Sequence, residues 1–248
     1  MSIERAAPRR HSRTSSCYDR EIPARIEYVA LARELAFLRE AFALPCTAVH
    51  LDEVCVTLGS FECIDRYYDA EPVMPQRRAL GGEVLSVIAG SEPAPTIPPE
   101  LVERLHGLRA VFRAHGAVAQ VTEHLARFVD TTERVRGARE PDEYIRAVEE
   151  EGRLTSKMVL LLFDGDPPRS GFAEFFVRLG IVGNLVDKLC DAHADFSRGE
   201  LALRPSAAVY ARLVAAFVRH ATLLLARFPR RWALVWWGAR YFAPLLSR

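Results

Sequence analysis

From Ile26 to Leu246 apolar residues recur at three- and four-residue spacing with Arg and Glu between them, and no stretch alternates apolar with polar residues as a half-buried strand would. That single periodicity restricts the chain to an all-helical fold. The breaks are set by proline and glycine. A first helix begins after Pro23 and ends before Pro45, and a second runs from about Thr47 to Asp69, where Pro72 and Pro75 stop it. A shorter helix starts near Gln76, and Gly90 to Pro99 holds four prolines and reads as a loop. Further helices are expected at about 100–115, 117–136, 142–162, 172–196, 206–228 and 231–246, and the one Asp-Gly step, Asp164-Gly165, falls in a turn between two of them. The lengths are unequal and no repeat period is present, which excludes a solenoid. The expectation is an all-α fold: a single helical bundle of eight to ten helices around one central apolar cavity, for which 248 residues suffice.

Charge and cysteine usage narrow the function classes. A net charge of +1, with Arg and Glu alternating along most helices, lacks the basic face of a nucleic-acid binder, so no nucleic-acid partner is expected. The five cysteines form no CxxC pair, which argues against a zinc ribbon or a disulfide framework and for a reducing, cytoplasmic setting. No uninterrupted apolar run reaches the ~18 residues of a membrane span, so none is expected. Residues 1–22, rich in Arg and Ser at their start, are read as a disordered basic tail, and 23–248 as the helical domain. The sequence does not fix the oligomeric state, a homodimer being one option.

The most informative segment is Leu179 to Asp195, where Asp187, Asp191 and Asp195 repeat every four residues and form one acidic stripe on a helix. Like charges at that spacing destabilise a helix by a few tenths of a kcal/mol per pair, roughly, so something must offset them. Mg²⁺, a hard cation that prefers carboxylates together with water and substrate phosphate, would do so. A solvated acidic face is the plain alternative. A second pair, Asp65 and Asp69, ends the second helix, where carboxylates oppose the helix dipole. Two acidic helices in one all-α chain can form facing walls around a metal-bridged diphosphate.

The order and spacing of these residues resemble a known family. Asp65-Arg-Tyr-Tyr-Asp69-Ala-Glu71 is similar to the first DxxxD motif of squalene and phytoene synthases. Gly180-xxx-Asn184-xx-Asp187-xxx-Asp191-xxx-Asp195-xx-Arg198-Gly199 is similar to their second, G-xxx-Q-xx-N-xx-RD-xx-ED with a following Arg-Gly, and Tyr144-Ile-Arg-Ala-Val148 stands where they carry Y-xxx-V-AG. Asp187, Asp191 and Asp195 also fall at the intervals of the terpene-cyclase metal triad N-xxx-S-xxx-E, and Arg240-Tyr241 resembles the cyclase RY pair. The chain departs from the synthase pattern at Glu62, Glu149, Glu150, Asn184 and Cys190.

The resemblance implies the class I isoprenoid synthase fold and a Mg²⁺-dependent enzyme, a lyase or transferase, that ionises a C10 to C20 prenyl diphosphate. It makes Asp65, Asp69, Asp187, Asp191 and Asp195 the metal-binding catalytic carboxylates of a multi-metal cluster. It puts Arg146, Arg198 and Arg240 on the diphosphate, together with Asn184, Tyr144 and Tyr241, since the guanidinium fork pairs with phosphate oxygens. Phe61, Tyr68, Phe176, Trp236 and Trp237 are candidate aromatic walls for a carbocation, although ordinary core packing is the commoner reason for an aromatic at each position. Glu149, Glu150 and Glu151 form a charge run, usually solvated, of which one could point inward. The alternatives are a head-to-head condensation of two prenyl diphosphates, as in the synthases, and a non-catalytic helical interaction protein that kept the fold.

Overall fold

The computed structural model describes residues 26–71, 73–163 and 171–246, with side chains for 34–71, 73–163 and 171–239. The expected tail, the Asp164-Gly165 turn, Pro72 and the side chains of Arg240 and Tyr241 lie outside the described residues. Among the described residues nine α-helices follow in order: α1 Ile26–Ala41, α2 Ala48–Ala70, α3 Met74–Ala89, α4 Pro99–Ala114, α5 Val118–Gly137, α6 Pro141–Leu160, α7 Phe172–Ser197, α8 Ala207–Arg227 and α9 Arg231–Leu246. No strand occurs among the described residues.

The helix boundaries follow local chemistry. Thr47 caps α2 by accepting from the His50 amide, while the His50 ring accepts from the Thr47 amide. Pro75 does not delay α3 as expected but sits in its first turn, where a missing N–H costs nothing. Ser206 caps α8 through Val209.

Two apolar clusters build the core. One joins α1 to α4 with the first half of α5, the end of α6, the start of α7 and inward residues of α8 and α9, and includes Leu35, Leu58, Leu105, Phe112, Phe172 and Phe175. The other joins the ends of α5 and α7 to the starts of α6 and α8 around Tyr144, Val148, Leu185 and Leu213. A cavity of about 810 Å³ draws its lining from both clusters: Leu58, Leu125, Met158 and Phe176 from the first, Val135, Tyr144 and Leu201 from the second.

Helices α6 and α7 cross almost backbone to backbone. A Cβ on Gly152 would stand 2.6 Å from the Gly180 carbonyl oxygen and 2.9 Å from the Ile181 Cα, and one on Gly180 would stand 2.6 Å from the Gly152 carbonyl oxygen. The glycine that opens the second acidic motif is therefore a packing requirement. Gly152→Ala forces the helices apart and is expected to cost about 1–3 kcal/mol, read as a lower urea midpoint at unchanged slope.

Candidate functional site

Five aspartates from two helices line one cavity. Asp65 and Asp69 come from the last turns of α2, and Asp187, Asp191 and Asp195 from the second half of α7. Tyr144 and Glu151 of α6 join them, seven residues apart and so within about 20° on the helix. Arg136, Lys188, Arg198 and Glu200 add further charges to the lining, and Thr132, Thr155, Ser156 and Asn184 add uncharged polar groups. Phe61, Phe128, Phe176 and Trp237 stand among its apolar walls.

The end of α2 is fastened by a buried network that sequence reading does not reveal. Tyr68 donates to Glu133 Oε1 at 2.9 Å, and Arg77 clasps the same carboxylate with Nε at 2.8 Å and Nη2 at 3.2 Å. Arg77 Nη1 also donates to the Glu71 carbonyl at 3.0 Å and so satisfies the terminus of α2. Burial works to raise the Glu133 carboxyl, but hydrogen bonds from Arg77 and Tyr68 hold it below the ordinary glutamate range. Burial, then the Glu133 carboxylate, push the Tyr68 phenol upward. Tyr68 is thus absent from the cavity lining. Its expected place as a wall residue is corrected to a support for α2, because it points toward α5 while Asp69 reaches the cavity.

The cations among the carboxylates are equally specific. Arg136 of α5 pairs with Asp69, and Arg198 holds Asp195 at 2.7 Å and Glu200 at 2.9 Å. Lys188 lies 3.5 Å from both Asp187 and Asp195, with its side chain only 19% exposed. Burial opposes its charge, yet Asp187, Glu151 and Asp195 around it raise its pKa above the usual lysine range. The charge of Asp187 and Asp195 is therefore partly offset within the chain by Lys188, a third possibility beside the bound cation and the solvated face that the sequence suggests. Lys188 precedes Asp195 by two turns, a spacing legible in the sequence once cations are tracked beside carboxylates. Arg136 gives no such signal, because only the packing of α5 beside α2 brings it to Asp69.

Glu151 is the inward member of the charge run. It is 9% exposed, accepts from Thr132 at 2.8 Å and from Asn184 Nδ2 at 3.0 Å, while Glu150 pairs with Arg127 and Arg153 and Glu149 with Arg219. Asn184 also donates to the Val148 carbonyl at 2.8 Å, so its amide ties α6 to α7 at the cavity edge. Tyr144 is fully buried against the cavity, and its hydroxyl has no hydrogen-bond partner among the described residues. Burial pushes this phenol upward, so it stays a donor at neutral pH.

Two further expectations are corrected. Arg146 is exposed and absent from the cavity lining, because it is 200° around α6, roughly, from Tyr144. Trp236 is 71% exposed, whereas its neighbour Trp237 is 8% exposed and lines the cavity.

Among the described residues no three His, Cys, Asp or Glu side chains stand close enough to hold a metal ion by themselves. Mg²⁺ is ordinarily bound by one or two carboxylates plus substrate phosphate, and the hard oxygens of Asp65, Asp69 and Asp191 at the cavity suit that sharing. Comparison with protein-family models, with curated proteins and with solved structures finds no match to this chain.

Proposed function

We propose that the cavity binds a prenyl diphosphate with Mg²⁺ and ionises it, as a class I isoprenoid synthase does. One observation carries the reading: carboxylates of α2 and α7 line a single cavity whose other walls are aliphatic and aromatic. A volume of about 810 Å³ falls within the roughly 300–1,000 Å³ of small-molecule pockets. The unpaired Tyr144 hydroxyl supports a ligand with oxygen acceptors, since an unsatisfied buried donor costs about 1–3 kcal/mol until one is supplied.

In this reading Asp65, Asp69 and Asp191 would share the metal with the substrate, and Mg²⁺ bound there would supply Lewis-acid pull on the departing diphosphate. Arg136, Lys188 and Arg198 offer fixed donors to its oxygens, and Tyr144 adds a neutral one. Phe61, Phe176, Trp237 and Met158 face the hydrocarbon chain and keep water from the cation that ionisation leaves.

Incubating the full chain with geranyl, farnesyl and geranylgeranyl diphosphates and Mg²⁺ is expected to release diphosphate and give an apolar product from at least one of them. Release from none would overturn the reading. A head-to-head condensation ranks behind it because Glu62, Cys190 and the Glu149-Glu150 step depart from that family's pattern. The non-catalytic alternative draws on a specific observation, the pairing of Asp69, Asp187 and Asp195 with the chain's own cations.

A further inference from the structure

The chain as a whole balances 33 basic against 32 acidic residues, yet from Leu201 to Arg248 it holds eight arginines and not one Asp or Glu. This segment comprises α8 and α9. On α8 the charge is partly used to hold the helix to the body: Arg212 pairs with Asp142, and Arg219 with Glu149. Buried Val209, Leu213, Ala216 and Leu224 fix the same orientation. Helix α8 is apolar and long enough to cross a membrane by composition, with a mean hydropathy of 1.4, and these pairs and buried residues attach its inner face to the body.

Helix α9 presents a different face. Trp232, Val235 and Trp236 lie at i, i+3 and i+4 and are 85%, 44% and 71% exposed, while Leu234 and Trp237 turn inward. Two indoles left in water beside an apolar valine form a surface whose preferred surroundings are half apolar and half wet. At its N-terminal end stand Arg227, Arg230 and Arg231. The first two pair with the half-exposed Glu174 and the exposed Glu40, and Arg231 makes no ion pair among the described residues. Exposed tryptophan beside exposed arginines, of which Arg231 makes no ion pair among the described residues and Arg230 only a 3.6 Å one with the exposed Glu40, matches the boundary of an anionic bilayer, where indoles seat at headgroup level and arginines meet lipid phosphates.

We infer that α9, with the arginines at its N-terminal end, docks this protein onto the surface of an anionic lipid bilayer, with Trp232 and Trp236 inserted at the headgroup boundary. The charge complementarity singles out lipid phosphate, and the tryptophans single out a bilayer over a nucleic acid. Trp237, on the inward side of the same helix, lines the cavity, so the docked surface and the cavity share one wall. The docking does not depend on the proposed reaction.

All three tryptophans of the chain lie on α9, so tryptophan emission, excited selectively over tyrosine, reports this helix alone. The full chain is mixed with vesicles of phosphatidylcholine and phosphatidylglycerol in equal parts, with phosphatidylcholine vesicles alone, and with a double-stranded DNA fragment. Flotation with the anionic vesicles, a blue-shifted emission and quenching by brominated lipid are expected. A Trp232→Ser/Trp236→Ser variant, altered only at exposed positions, should keep its helical circular dichroism and partition about tenfold more weakly. Arg230→Gln/Arg231→Gln should narrow the preference for anionic over neutral vesicles. A parent that stays unbound, an unquenched emission, equal flotation of the tryptophan variant, or tighter binding to DNA than to vesicles would each overturn the inference.

Discussion

Replacing Asp191 by Asn is expected to reduce Mg²⁺-dependent release of diphosphate from a prenyl substrate by at least ~100-fold while leaving the stability of the metal-free protein almost unchanged. Asn keeps the size of Asp and removes its charge. Asp191 stands one turn from Asp187 on one side and from Asp195 on the other, so the variant relieves two like-charge pairs of a few tenths of a kcal/mol each, roughly. Lys188 and Arg198 already screen its two neighbours, which limits that gain. A shared metal ligand is worth several kcal/mol to a step that builds negative charge on a leaving group, hence the large loss of rate. A non-catalytic role gives the opposite pair of results. The aspartate would then act as a structural acceptor, its Asn variant would melt lower, and the parent would be inert toward C10, C15 and C20 diphosphates. Diphosphate release and thermal melting measured on the same two proteins separate the readings.

The second large effect belongs to Arg77. Changing it to Met keeps most of the apolar stem and strands the Glu133 carboxylate, whose side chain is 9% exposed. Breaking a buried pair from one side typically costs about 3–5 kcal/mol, because the remaining charge is left desolvated. The loss should be read in urea denaturation at neutral pH. Its pH dependence has a definite sign. The folded protein holds the Glu133 carboxyl below the ordinary glutamate value of 4.5, so the pair's stabilisation is fully present above that value and is lost as pH falls through the lower folded one. In the Met variant the guanidinium is gone and the neutral Tyr68 hydroxyl still donates to Glu133, so the buried charge is only partly compensated and protonation of Glu133 becomes a relief. The two stability curves should therefore converge in acid below about pH 4.5. A constant gap across that range would show that the stabilisation comes from packing of the Arg77 stem. Because Arg77 also satisfies the end of α2, the variant should misplace Asp65 and Asp69 and weaken any ligand that depends on them.

Much of the fold is legible along the chain because helices are local objects. Period, caps and prolines act within a few residues of each other, as the Thr47 cap on α2 illustrates, although Pro75, expected to precede α3, stands inside its first turn. Those same local rules place Asp187, Asp191 and Asp195 on one face of α7 and Asp65 with Asp69 at the end of α2. They also separate inward Glu151 from outward Arg146 once Tyr144 is taken as buried, since helix phase alone relates the three.

What the sequence determined by itself was therefore the all-helical class, the approximate course of the helices and the two acidic faces, all of them consequences of contacts three or four residues apart. The tertiary structure decided which faces meet. Only the crossing of α6 and α7 explains why positions 152 and 180 must be glycine, and only the packing of α3 and α5 beside α2 brings Arg77, Glu133 and Arg136 to the motif at its end. It also decided that Trp237 turns to the cavity while Trp236, its neighbour in the chain, faces outward. The reason is common to these cases. Residues that share a helix face are fixed relative to one another by the 100° turn, roughly, of each residue, whereas the partner of that face lies dozens of positions away and is chosen by packing.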